Sequence, residues 1–110
     1  MSTLKSVCVF CGSSSGTRPV YEDAAKALGR TLAENGVELV FGAGGSGIMG
    51  AVSRACLDAG GRVTGIIPEH LTRIEAPLSG LTECIVVPDM HTRKRQMFER
   101  SDAIVVLPGG

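Results

Sequence analysis

The chain has 110 residues, 44% of them apolar and only 4% aromatic, and its eleven basic and eleven acidic side chains cancel at neutral pH. Balanced charge excludes a global field that would gather a nucleic-acid polymer or an acidic membrane surface, and so few aromatics leave no stacking platform for single strands. No apolar run approaches the roughly 20 residues that span a bilayer, and one lysine before a short strand-like run is too little for a secretory leader, so a soluble cytoplasmic protein is the expectation.

One domain over residues 1–110 is expected, with a core of Ala, Val, Ile and Leu. Ser6–Cys11 (SVCVFC) reads as a buried strand and runs into the hydroxyl-rich loop 12–16. Pro19 suits a first helical turn, with Glu22 and Asp23 at its positive end. Tyr21, Ala25, Leu28 and Leu32 fall on one helical face, and Asn35-Gly36 stops the helix. Val37–Phe41 is a second strand. It enters a glycine-rich loop and a helix that starts near Ser46 or Gly47, with Ile48, Val52, Ala55 and Ala59 on its apolar face. Gly60-Gly61 ends that helix. Arg62–Ile67 is a third strand, closed by Pro68, and residues 68–81 are irregular with a short helical turn near Glu69–Thr72. Thr82–Val87 is a fourth strand, Met90 to about Arg100 a third helix, and Asp102–Leu107 a fifth strand.

Strands alternating with helices predict an α/β, Rossmann-like, doubly wound parallel sheet with helices on both faces. Ligands of such sheets bind beyond the carboxyl ends of the strands. The loops 12–16, 42–47, 88–94 and 108–110 all follow strands and are candidates for one crevice. Cys8 and Cys11 spell C-x-x-C, but residues three apart on a strand face opposite sides. All four cysteines, Cys56 and Cys84 included, read as reduced thiols acting as small hydrophobes.

Val40–Gly50 (VFGAGGSGIMG) carries five glycines between a strand and a helix. Gly42–Gly47 matches G-x-G-x-x-G, which the following helix start makes fit for a phosphate. Two features count against a dinucleotide: the loop follows the second strand, and the acid at the right distance, Glu69, lies beyond a proline. Gly44, Gly45 and Ser46 therefore either contact a phosphate or serve tight helix–sheet packing. Ser13, with Ser14 and Ser15, either bonds a phosphate or sugar or caps the next helix. On the third helix Met90, Arg93, Lys94 and Met97 share a face, an inward-leaning stripe with two cations near a positive dipole end. Either an anion nearby offsets that cost or both stems snorkel along the surface. His91 reads as structural and Glu75 as an isolated loop carboxylate. Nothing resembles a metal signature, and no cofactor is implied.

Together, Cys11-Gly12-Ser13-Ser14, Val40–Gly50 ending in Gly47-Ile48-Met49-Gly50, Asp89-Met90-His91-Thr92-Arg93-Lys94 and Leu107-Pro108-Gly109-Gly110 resemble the Lonely Guy (LOG) phosphoribohydrolases, often mislabelled lysine decarboxylases. The last stretch opens that family's P-G-G-x-G-T-x-x-E motif. The family's glycine loop usually reads G-G-G-S-V-G, so Ala43, Gly45 and Ser46 make this a variant. The resemblance implies hydrolysis of the N-glycosidic bond of adenine-type nucleoside 5′-monophosphates, N6-prenylated cytokinin precursors among them, to free base and ribose 5-phosphate. It implies that Arg93 assists a catalytic glutamate, that Lys94 lines the substrate site beside Met90, that Gly109 and Gly110 begin a phosphate cradle, and that Glu75 contacts substrate. A homodimer is also implied. The glutamate of that motif would come after Gly110, so the expectation is an N-terminal part of a longer enzyme, truncated after the fifth strand and inactive as written. Two other readings stand beside it: a non-catalytic nucleotide or cofactor carrier of the same fold, as molybdenum-cofactor carriers are, and half of an NAD(P)-dependent dehydrogenase.

Overall fold

A computed structural model describes residues 4–10, 19–44, 47–74 and 77–107. Among them, strands β1 (Ser6–Phe10), β2 (Glu38–Phe41), β3 (Val63–Pro68), β4 (Glu83–Val87) and β5 (Ala103–Val106) alternate with helices α1 (Pro19–Glu34), α2 (Gly47–Asp58) and α3 (Met90–Glu99). A 3-10 turn, Glu69–Leu71, stands where the short helical turn is expected. Every strand pairing is parallel, and the order is β4-β3-β2-β1-β5. The first four strands step in one direction. The chain then reverses to lay β5 beside β1. Right-handed crossovers taken in opposite directions put their helices on opposite faces, which is why α1 and α2 share one face and α3 has the other.

The alternation of side chains along each strand divides the core in two. Val7, Val9, Leu39, Phe41 and Val63 face α1 and α2, where they meet Ala25, Leu32, Ile48, Val52 and Cys56. Cys8, Val40, Ile66 and Val87 face α3 and pack with Met97. The two helices of the first face approach closely because α1 carries Gly29 at the contact. A Cβ there would lie 2.3 Å from the Val52 carbonyl oxygen of α2. The register of β5 is held at its entry by Asp102, whose Oδ2 accepts from the Lys5 and Ser6 amides at 2.8 and 3.2 Å. The Ser6 hydroxyl also donates to the Arg100 carbonyl.

The boundaries fall within one or two residues of expectation, with instructive exceptions. Pro68 is the last residue of β3 rather than the residue after it. On α2, Ala59 lies past the helix end and is exposed, and the buried positions include Ser53 and Cys56. Cys84 is exposed, which overturns its reading as a small core hydrophobe. The cause is a lateral offset between the helical layers. The α1–α2 layer leaves that face of β4 uncovered, where Val86 is 55% exposed. The α3 layer stops short of β5, where Ile104 and Val106 are 48% and 73% exposed.

Candidate functional site

A parallel sheet sends all its strands to one carboxyl edge, so the loops after β2 and β4 open on the same side. The helix after β4 starts on a well-formed cap. Asp89 has extended backbone (φ −154°, ψ 171°), and its Oδ1 accepts from the Thr92 amide at 2.7 Å. That amide, with the Thr92 hydroxyl, holds the Asp89 carboxyl below its ordinary 3.8.

One turn on, Arg93 reaches across the sheet edge. Its Nη2 donates to the Gly42 carbonyl oxygen at 3.0 Å, and its Nη1 meets the Met90 sulfur at 3.5 Å. The half-buried guanidinium thus rests between the end of β2 and the first turn of α3. The Gly42 carbonyl dipole is one offset to the unfavourable helix end. The charge is also felt at Cys8 on the adjacent strand. Burial pushes that thiol up to about 11, while a Ser101 hydrogen bond and then the Arg93 charge pull the other way. Burial raises the Cys56 thiol as well.

The glycine loop is tied down on its other side. Ala43 adopts a left-handed conformation (φ 72°), and its carbonyl accepts from the Leu78 amide at 2.9 Å. Gly44 forms an antiparallel bridge with Pro77. Beneath the loop is Gly65 of β3, where a Cβ would sit 2.8 Å from that of Ala43. The 77–78 segment and the loop are therefore one unit.

The structure brings Arg93 to Gly42 at the start of the glycine loop, with Met90 against the guanidinium. Lys94 is exposed, as is His91. The inward stripe is accordingly Met90, Arg93 and Met97, and the expectation that Lys94 shares it is corrected: at 3.6 residues per turn it lies on the solvent flank of that stripe. Ser13, Gly45, Ser46, Glu75, Gly109 and Gly110 lie outside the described residues. What the sequence reading missed is the partner of Arg93. Gly42 was visible only as a motif glycine, because a contact between residues 51 apart has no local signal.

Two grooves among the described residues adjoin these elements, one at Pro88 before the α3 cap and one at Gly47 where α2 starts. One of about 470 Å³ is lined by Glu69, His70, Thr72, Arg73 and Pro88; another of about 560 Å³ runs between α1 and α2 past Lys26, Arg30 and Arg54. Among the described residues no group of three or more His, Cys, Asp or Glu is placed to hold a metal ion, and no helix is long and apolar enough to cross a membrane.

The family described as "possible lysine decarboxylase" matches residues 49–110. A cytokinin riboside 5′-monophosphate phosphoribohydrolase of Arabidopsis thaliana is 50% identical over 109 residues, 99% of this chain and 48% of the relative. The enzyme of that name from Rhodococcoides fascians is 49% identical over 109 residues, 98% of this chain and 55% of the relative. The chain spans about half the length of the curated relatives it matches. Among solved structures, the X-ray structure of TM1055 superposes with a TM-score of 0.80 at 29% identity, over 96% of this chain and 62% of that one. The molybdenum cofactor carrier protein of Chlamydomonas reinhardtii has the same fold, with a TM-score of 0.81 at 20% identity over 97% of this chain and 64% of that one.

Proposed function

The chain belongs to the Lonely Guy family, the group described as possible lysine decarboxylases, and from that premise we propose that the protein hydrolyses the N-glycosidic bond of an adenine-type nucleoside 5′-monophosphate. The family description and the relatives' names state different reactions. The proposal follows the names, because those relatives align over nearly the whole chain. In the reaction water attacks the anomeric carbon, the bond to the base breaks, and the base leaves with a proton. Free base and ribose 5-phosphate result. N6-prenylated substrates would release a cytokinin.

The observation that carries the reading is the seat of Arg93 at the carboxyl end of β2. A guanidinium is a planar fork suited to a phosphate or a carboxylate. Held against the sheet edge, it is in place before substrate arrives, and a charge positioned in advance is what lowers a barrier. The transition state of such a hydrolysis resembles an oxocarbenium ion and calls for a carboxylate. In the proposed site Arg93 orients that carboxylate or the sugar phosphate. Gly44, Gly45 and Ser46 receive the phosphate with Ser13, Gly109 and Gly110, while Glu75, Met90 and Lys94 complete the substrate contacts. The protein would act in the cytoplasm as a homodimer, without a cofactor.

The test is incubation of a full-length form with AMP and with N6-prenyl-AMP, following free base by chromatography. Release of base that falls about 100-fold in Arg93→Ala is the expected result. No base above the Arg93→Ala background overturns the proposal. Tight nucleotide binding without turnover would favour a carrier.

A further inference from the structure

We propose that Gly42 is a positioning residue for Arg93: the first glycine of the loop is there to seat the guanidinium, and the space its missing side chain leaves is the seat. The catalytic consequence rests on the function proposed above; the seating itself does not.

The geometry is direct. A Cβ built on Gly42 would lie 1.6 Å from Arg93 Nη2, 2.8 Å from Cζ and 3.3 Å from Nε. No guanidinium occupies that place beside even a methyl group. The same residue's carbonyl accepts the Nη2 proton at 3.0 Å. Gly42 thus supplies both the gap and the acceptor. Met90, one turn before Arg93, supplies a further support through its sulfur. The motif match read Gly42–Gly47 as fit for a phosphate, with tight helix–sheet packing as the alternative. Here the group that approaches is a side chain of the protein itself.

Gly42 differs in kind from Gly29 and Gly65. At Gly29 the nearest atom to an added Cβ is the backbone carbonyl of Val52, and at Gly65 the nearest is Ala43 Cβ, with Ala43 Cα and Leu81 Cδ1 just beyond it. Neither can move without the fold moving. At Gly42 all three nearest atoms are the far end of one long side chain. Arg93 has free rotation about several bonds and can swing clear. A methyl at Gly42 therefore displaces the arginine and leaves the fold alone.

The test compares Gly42→Ala, Arg93→Ala and the double variant in the intact protein. The first readout is the Arg93 Nε–H resonance by NMR, assigned by its loss in Arg93→Ala. In Gly42→Ala it shifts to the position of a solvated arginine and exchanges faster with water, while the melting temperature stays within about 3 °C. The second readout is base release from AMP. Gly42→Ala lowers kcat/KM about 100-fold, mainly in kcat, and the double variant is no worse than either single one. An unchanged Arg93 resonance in Gly42→Ala overturns the inference. So does a double variant whose losses multiply, since Gly42 would then act apart from Arg93. If Gly42→Ala unfolds, the double variant decides: stability equal to that of Arg93→Ala supports the seat, and continued unfolding overturns it. A displaced Arg93 resonance in a protein that releases no base from AMP leaves the seating standing and overturns only the proposed reaction.

Discussion

The two faces of the sheet are built for different work. On one, α1 and α2 pack through Gly29 against the larger cluster, and the side chains that meet are Leu, Ile, Val, Ala, Phe and Cys. On the other, the ten-residue α3 covers a cluster of five buried residues and lays a guanidinium over the rim. The first face holds the fold. The second spends part of its contact surface on a charge. A helix that carries Arg93 on its inner side cannot also be apolar all along that side, and Phe98 and the near face of β5 are left exposed. The lesson is that position along the chain decides this division less than crossover direction does. The helix that runs back across the sheet, α3, is the one whose Arg93 reaches the end of β2 among the described residues.

The contrast can be tested by substitution. Leu39→Ala removes a fully buried side chain from the larger cluster and should cost about 4 kcal/mol in urea unfolding. Gly29→Ala should cost about 3 kcal/mol, since the added methyl meets backbone and the helix pair must spread. Both should leave activity per folded molecule intact. Met97→Ala, in the smaller cluster, should cost about 2 kcal/mol but lower activity too, because it loosens the turn after Arg93. If Leu39→Ala and Met97→Ala prove equal in both readouts, the division of labour between faces is wrong. Ala43→Gly should raise stability by about 0.5 kcal/mol: relief of the left-handed strain exceeds the extra freedom of glycine in the unfolded chain. The smallest effect is at the cap. The Asp89 carboxyl is held below 3.8 in the folded state, so its contribution is present above that pH and is lost as pH falls through the lowered value. The stability difference between the protein and its Asp89→Asn variant should therefore be measurable at pH 7 and shrink as pH falls below 3.8.

The elements were legible because each has a local cause. Asn35-Gly36 stops α1 with a glycine at φ 67°, and Asp89 opens α3 by capping it. Met90 and Arg93 could be placed on one face by spacing alone. Lys94 could not be separated from them, because a periodic pattern gives the angle between residues and not where the neighbouring layer ends. Cys84, Val86, Ile104 and Val106 misled for the same reason. An apolar run reads as a strand buried on both sides, whereas here each edge strand has one face that no helix among the described residues reaches.

Sequence by itself determined the alternation of strands and helices, the parallel sense of the sheet and the family. These follow from patterns within a few residues, from right-handed crossovers and from motifs. Tertiary structure alone decided that β5 turns back beside β1, that α3 takes the face opposite α1 and α2, and that Arg93 settles on Gly42. Such contacts join residues some 51 to 97 positions apart, as Arg93–Gly42 and Asp102–Lys5 do. No neighbour in the chain records them; they exist only once the strands have paired.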